Sequence, residues 1–202
     1  MSMSDEEPRR FVVNKDLLPE HFPTHRHTPE FWENLGRAVA TFGFLEDVLA
    51  RAIFALTGTR RYEGNNYEAA FEQWIKTLER ALYDPLGNLI SSYEKALRDH
   101  PEATITNAEE LVSDLRAAST VRNVLCHGSW GPPDSEGRSL PKFVDRKLMI
   151  FDTRVDLAFL QQTQKHTAEL VCEVMNTVSH MGWQFPGTTG PGTPIMTNSR
   201  KS

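Results

Sequence analysis

Between Thr28 and Gly58 the apolar residues Phe31, Leu35, Ala38, Phe42, Leu45, Leu49, Ala52 and Leu56 recur at alternating spacings of three and four. At 3.6 residues per turn that rhythm keeps all eight on one face, so it predicts a single helix of about eight turns. Trp32, Val39, Val48 and Ile53 widen the stripe, as a core helix requires. Thr28 can cap the first free amides, Pro29 suits the first helical position, and Glu30 meets the positive end of the helix dipole. Gly58 closes the segment.

Shorter amphipathic stretches follow. Residues 67–83 place Ala70, Phe71, Trp74, Leu78 and Leu82 on one face. Asp84-Pro85 restarts the chain into a third helix with Leu86, Leu89, Ile90, Tyr93 and Leu97 inward, ended by Asp99-His100-Pro101. A fourth helix starts near Asn107 and carries Leu111, Leu115, Ala118, Val121 and Leu125. After it comes a turn-rich segment with Gly131-Pro132-Pro133-Asp134 and Glu136-Gly137. Two short apolar runs at about 140–151 then predict a small β-hairpin inserted between helices. A fifth helix is expected from about Val155 to His180, with Leu157, Leu160, Thr163, Ala168, Val171, Met175 and Val178 on its face. Residues 1–27, broken by Pro8, Pro19 and Pro23, predict an extended arm draped over a domain spanning 28–182. The Gly-, Pro- and Thr-rich stretch at 183–202 predicts a flexible tail.

The 202 residues suit one domain, with 39% hydrophobic and 24% charged residues to build a core and a solvated surface. A net charge of -5 argues against a protein that coats nucleic acid through a broad basic face. It leaves room for a local cleft set by a few converging arginines. Cys126 and Cys172 form no CxxC pair, so neither a disulfide framework nor a zinc site is expected and a reducing cytoplasm fits. His21, His25 and His27 lie close together and could be a metal cluster, but no cysteine accompanies them and they fall in no clear helix, so they read as part of a solvated arm. The acidic, polar start lacks a signal-peptide pattern, and no eighteen-residue apolar run predicts a membrane span.

The segment richest in chemistry is the end of the fourth helix, Arg122-Asn123-Val124-Leu125-Cys126-His127, stopped by Gly128. Asn123 and His127 stand four apart and so lie one above the other. Arg122 offers a fixed fork of donors suited to a phosphate, and an imidazole takes or gives a proton near neutral pH. Metal-independent RNA cleavage needs a base for the 2'-hydroxyl, a cation for the crowded phosphorane and an acid for the leaving oxygen. One chain is short of one proton carrier; a two-fold dimer pairing two helix ends would supply it. The plainer reading is an arginine salt-bridged to Glu46, Glu110 or Asp114, with a histidine meeting the helix dipole. Glu46 interrupts the apolar face of the first helix beside Phe42, Leu49 and Ile53 and needs a partner. It either reaches water or pairs with Arg51 or another scaffold arginine, or it orients Arg122 or His127.

Arg122-Asn123-x-x-x-His127 at a helix end, with Gly128 after it and Phe42-Gly43-Phe44-Leu45-Glu46 on a long first helix, resembles the HEPN superfamily. The resemblance covers roughly residues 29–180. It implies an all-α fold, an up-and-down bundle of four to five helices that forms a homodimer, with the two motifs lining a shared cleft. It further implies a metal-independent endoribonuclease of toxin–antitoxin, antiviral defence or RNA-processing systems, with RNA as substrate and no cofactor. Arg122 and His127 would form the catalytic pair, with Asn123 positioning them or the phosphate and Glu46, Ser129 and Trp130 in support. Some family toxins carry a tyrosine two residues after the histidine that a nucleotidyltransferase partner modifies. Ser129 stands there, followed by Trp130, so the tyrosine form of that regulation is not expected, while an antitoxin or nucleotidyltransferase partner stays open. The competing expectation is a non-catalytic HEPN-like module that binds a nucleotide or a protein.

Overall fold

A computed structural model of the chain describes residues 11–60, 67–103, 106–145 and 148–190. Among these residues five α-helices make an all-α fold: α1 (Pro29–Gly58), α2 (Tyr67–Ala81), α3 (Leu86–Asp99), α4 (Ala108–His127) and α5 (Leu157–Ser179). The helix α1 is the axis of the core and touches the other four. It starts as its sequence dictates, with the Thr28 hydroxyl accepting from the Phe31 amide and Pro29 in the first turn. All eight stripe residues are buried, and so are Val48 and Ile53. Each fully buried Leu, Ile or Phe stabilises the fold by about 1.5–3 kcal/mol.

The third helix presents Leu86, Leu89, Ile90, Tyr93 and Leu97 to this core. Tyr93 is enclosed, and burial pushes its phenol above its ordinary range. Its hydroxyl donates to Thr177 Oγ1 at 3.1 Å, and Thr177 donates onward to the Val174 carbonyl at 2.7 Å. Buried His100 ties the end of α3 to the end of α1. Its Nδ1 accepts from the Glu102 amide at 3.2 Å, which leaves the Nε2 proton for Thr59 Oγ1 at 3.1 Å.

Three expectations are corrected. The face of α2 is not buried: Ala81 is its one buried residue, while Phe71 is 59% and Leu82 84% exposed. Along α5, Ala168 faces solvent and Thr167 is buried in its place. The hydroxyl of Thr167 is satisfied by the Thr163 carbonyl at 2.8 Å, so it packs as a small branched side chain. The tail expected from 183 is docked at first, because Phe185 joins the core and Arg51 Nη1 donates to the Pro186 carbonyl at 3.4 Å. Gly187, at φ +83°, passes so close to Arg51 that any side chain there would strike the guanidinium. Residues 191–202, and Met1 to Arg10 of the arm, lie outside the described residues.

Among the described residues no β-strand forms. The hairpin expected at about 140–151 is represented by one antiparallel bridge, Val144 with Ile150. Val144, Leu148, Met149 and Ile150 are all more than half exposed, so no packed face extends the pairing. Two further single bridges, Ser129 with Lys142 and Ser139 with Val155, fasten the segment to the bundle. Of the described arm residues, those at its end dock on the bundle. The Trp32 indole donates to the Thr24 carbonyl at 2.8 Å, and His27 stacks on Phe31 with ring centres 4.3 Å apart.

Candidate active site

Leu111, Leu115, Ala118 and Leu125 bury one face of α4, which sets Arg122 and Asn123 at the edge of that face. Both are half-buried, whereas His127 in the last turn is exposed. Glu46 arrives from the middle of α1, 76 residues away, and accepts from Arg122 Nη2 at 3.1 Å. Arg122 Nη1 donates to Asn123 Oδ1 at 3.3 Å. Two of the guanidinium's five N–H donors are thus committed to carboxylate and amide, which orient the fork. Side chains of Arg122 and Glu46 are 25% and 28% exposed, so the pair is partly screened but not freely solvated. The partner that Glu46 needs is therefore Arg122; Arg51, the other candidate, pairs with Asp47 at 2.7 Å.

The remaining expected site residues are placed otherwise. His127 makes no hydrogen bond or ion pair with a described residue. Five positions along a helix turn the chain by roughly 140° beyond a full turn, so Arg122 and His127 leave α4 on different sides. Asn123 stands between them. Ser129 is held by its backbone, which exchanges hydrogen bonds with Lys142 at 3.0 and 2.9 Å. Trp130 turns away to the start of α1, with its ring 5.3 Å from Phe31 and 6.5 Å from Trp32. His27 joins this aromatic cluster, and burial lowers its affinity for a proton. Gly128 makes the stop. A Cβ there would lie 2.6 Å from the Val124 carbonyl oxygen and 3.0 Å from Pro141, so a larger residue cannot follow His127 without a shift.

Glu46 also lines a groove of about 320 Å³ with Gly43, Asp47, Ala50, Tyr83 and Asp84. Its three carboxylates make that side unfavourable for phosphate. Among the described residues no three His, Cys, Asp or Glu side chains converge as metal ligands, and His21, His25 and His27 do not gather. No helix among them is long and apolar enough to cross a membrane.

Sequence reasoning passed over a second concavity, of about 600 Å³, between the end of α1, α2 and α3. Arg60, Lys76, Arg80 and Lys95 line it. The signal was present: Lys76 and Arg80 stand four apart, flanking the Ala70–Trp74 face of α2. Compared with known protein families, with curated proteins and with solved structures, the chain matches none.

Proposed function

We propose that this chain is a metal-independent endoribonuclease of the HEPN type that works as a homodimer. The observation that carries the reading is the Glu46–Arg122–Asn123 constellation, which orients a cation beside a helix end whose histidine is unencumbered. A guanidinium fixed from two sides is prepared to meet a phosphorane, because less reorganisation accompanies the reaction. His127 is exposed and has no partner among the described residues, so its ring is accessible to a substrate.

In this reading two α4 ends face each other across a two-fold axis and give one cleft two histidines and two arginines. One His127 takes the proton from a ribose 2'-hydroxyl as its oxygen bonds to phosphorus. The bond from phosphorus to the 5'-oxygen breaks, and the partner's His127 supplies the proton that oxygen needs. Arg122 stabilises the charge on the phosphorane, and the products are a 2',3'-cyclic phosphate and a 5'-hydroxyl. The angle between Arg122 and His127 on α4 favours such sharing, since one helix end does not aim both at one atom. The acidic groove beside Glu46 restricts access and suits cleavage of exposed loops rather than coating of long RNA. The same reading carries an up-and-down helix order, with a hairpin at about 140–151 beside the cleft. Toxin–antitoxin or antiviral roles, and an antitoxin or nucleotidyltransferase partner, belong to it as well.

The test is incubation with total RNA in excess EDTA, alongside His127→Ala and Arg122→Ala. Cleavage by the parent alone, leaving 2',3'-cyclic phosphate ends, supports the reading; equal cleavage by both variants, or intact RNA with a folded dimer, refutes it. The ion pair itself favours a second reading, a non-catalytic module in which Arg122 fastens α4 to α1. Under it His127→Ala changes nothing, whereas Arg122→Ala lowers stability.

A further inference from the structure

We infer that the cleft between α2 and α3 binds a small ligand in which a phosphate chain is joined to a flat aromatic group, the chemistry of a nucleotide. Two compartments meet there. The larger, about 600 Å³, receives Arg60 from just beyond α1, Lys76 and Arg80 from α2, and Lys95 from α3. Among its described lining residues Glu79 and Asp99 are the carboxylates, against four cations, in a chain that is acidic as a whole. Asp99 is engaged by Arg60 at 3.4 Å. Lys76, Arg80 and Lys95 form no ion pair with a described carboxylate. Cations gathered in a concave site repel one another and raise the local positive potential, which an anion relieves.

The second compartment, about 490 Å³, adjoins the first and differs in kind. It is lined by Tyr67, Phe71 and Trp74 with Gly58 and Ala70, and Glu68 is the one charged residue among its described lining residues. Thr57, Ala70 and Trp74 line both compartments. The Trp74 ring is fixed by its indole proton on Thr57 Oγ1 at 3.0 Å, with Phe54 and Phe71 tilted against it at 5.9 Å each. A cationic pocket and an aromatic pocket sharing a wall select a ligand with an anionic end and a flat apolar end. Each compartment has the size that small-ligand sites commonly show, roughly 300–1,000 Å³. The cleft is distinct from the Arg122 site, with which it shares no lining residue.

Calorimetric titration of the full chain with ATP, pyrophosphate and adenosine, each separately, tests the two halves. Saturable ATP binding is expected, with the double variant K76Q/K95Q weakening ATP and pyrophosphate at least tenfold. Phe71→Ser is expected to weaken ATP and adenosine while leaving pyrophosphate unchanged. These residues are exposed, so the variants keep the fold, which a far-ultraviolet spectrum checks. No saturable ATP binding at millimolar concentration overturns the inference, as does equal affinity in K76Q/K95Q. Affinity that grows with the length of an RNA oligomer and is not displaced by ATP also overturns it, and makes the cleft a track for RNA.

Discussion

Breaking the Glu46–Arg122 pair measures how firmly the first and fourth helices hold the proposed catalytic arginine. Two unit charges about 4 Å apart attract by about 4 kcal/mol at an effective dielectric constant of 20. Desolvation and side-chain ordering offset most of that for groups a quarter exposed. Fully exposed pairs contribute about 0.2–1 kcal/mol, and hydrogen bonds to charged groups about 1.5–3 kcal/mol. A coupling of about 1–2 kcal/mol is therefore expected in a double-mutant cycle of Glu46→Ala, Arg122→Ala and both together, read by urea unfolding at one protein concentration. Each kcal/mol corresponds to about 2–4 °C in Tm for a chain of this size. Raising salt from 0.1 to 1 M should shrink the coupling only in part, because the pair is largely shielded from solvent. A coupling under about 0.3 kcal/mol would refute the claim that Glu46 orients Arg122.

Tyr93→Phe should cost about 1 kcal/mol and Thr177→Val about 1–3 kcal/mol, since the latter leaves the buried phenol without an acceptor. The double substitution should cost less than their sum, and thermal melts of the three variants decide it. Gly128→Ala should destabilise by about 1–3 kcal/mol, because the new methyl meets the Val124 carbonyl. It should also lower RNA cleavage by displacing the end of α4; a variant with parental Tm and activity would contradict the close approach. Burial depresses the proton affinity of His27 in the folded chain, so the unfolded chain takes up the proton first as pH falls through 6.5. Stability should fall below that pH and level off beneath the depressed folded value. In His27→Gln the difference in Tm between pH 8 and pH 5 should be smaller, and an unchanged difference would sink the assignment.

Much of the scaffold was legible because one signal, the period of apolar residues, decides it for helices that pack closely. Every stripe position of α1 and every inward position of α3 is buried as the spacing implies. The same signal failed for α2, whose regular pattern lacks a partner surface to cover it: Phe71 and Leu82 keep the rhythm but stay exposed. It failed at Ala168 because a threonine that bonds back to its own helix is apolar enough to replace it. Glu46 shows what pattern reading can reach. A carboxylate on an apolar edge demanded a cation, yet the choice between Arg51 and Arg122 rested on a contact across 76 residues. Trp130, adjacent to the motif in sequence, lies elsewhere because a large ring follows the nearest aromatic cluster. The cationic cleft is not legible as a motif because its cations come from two helices and from Arg60, just past α1.

The thin attachment of α2 makes it a separate unit of unfolding. With Ala81 alone buried, its amides depend on hydrogen bonds near solvent rather than on the core. Hydrogen exchange should therefore protect α1, α3 and the inner turns of α5 well before α2, which opens while the rest stays closed. A ligand between α2 and α3 would close that door thermodynamically, because each opening would require its release. Slowed exchange confined to Tyr67–Ala81 would then report occupancy directly, without any assay of catalysis.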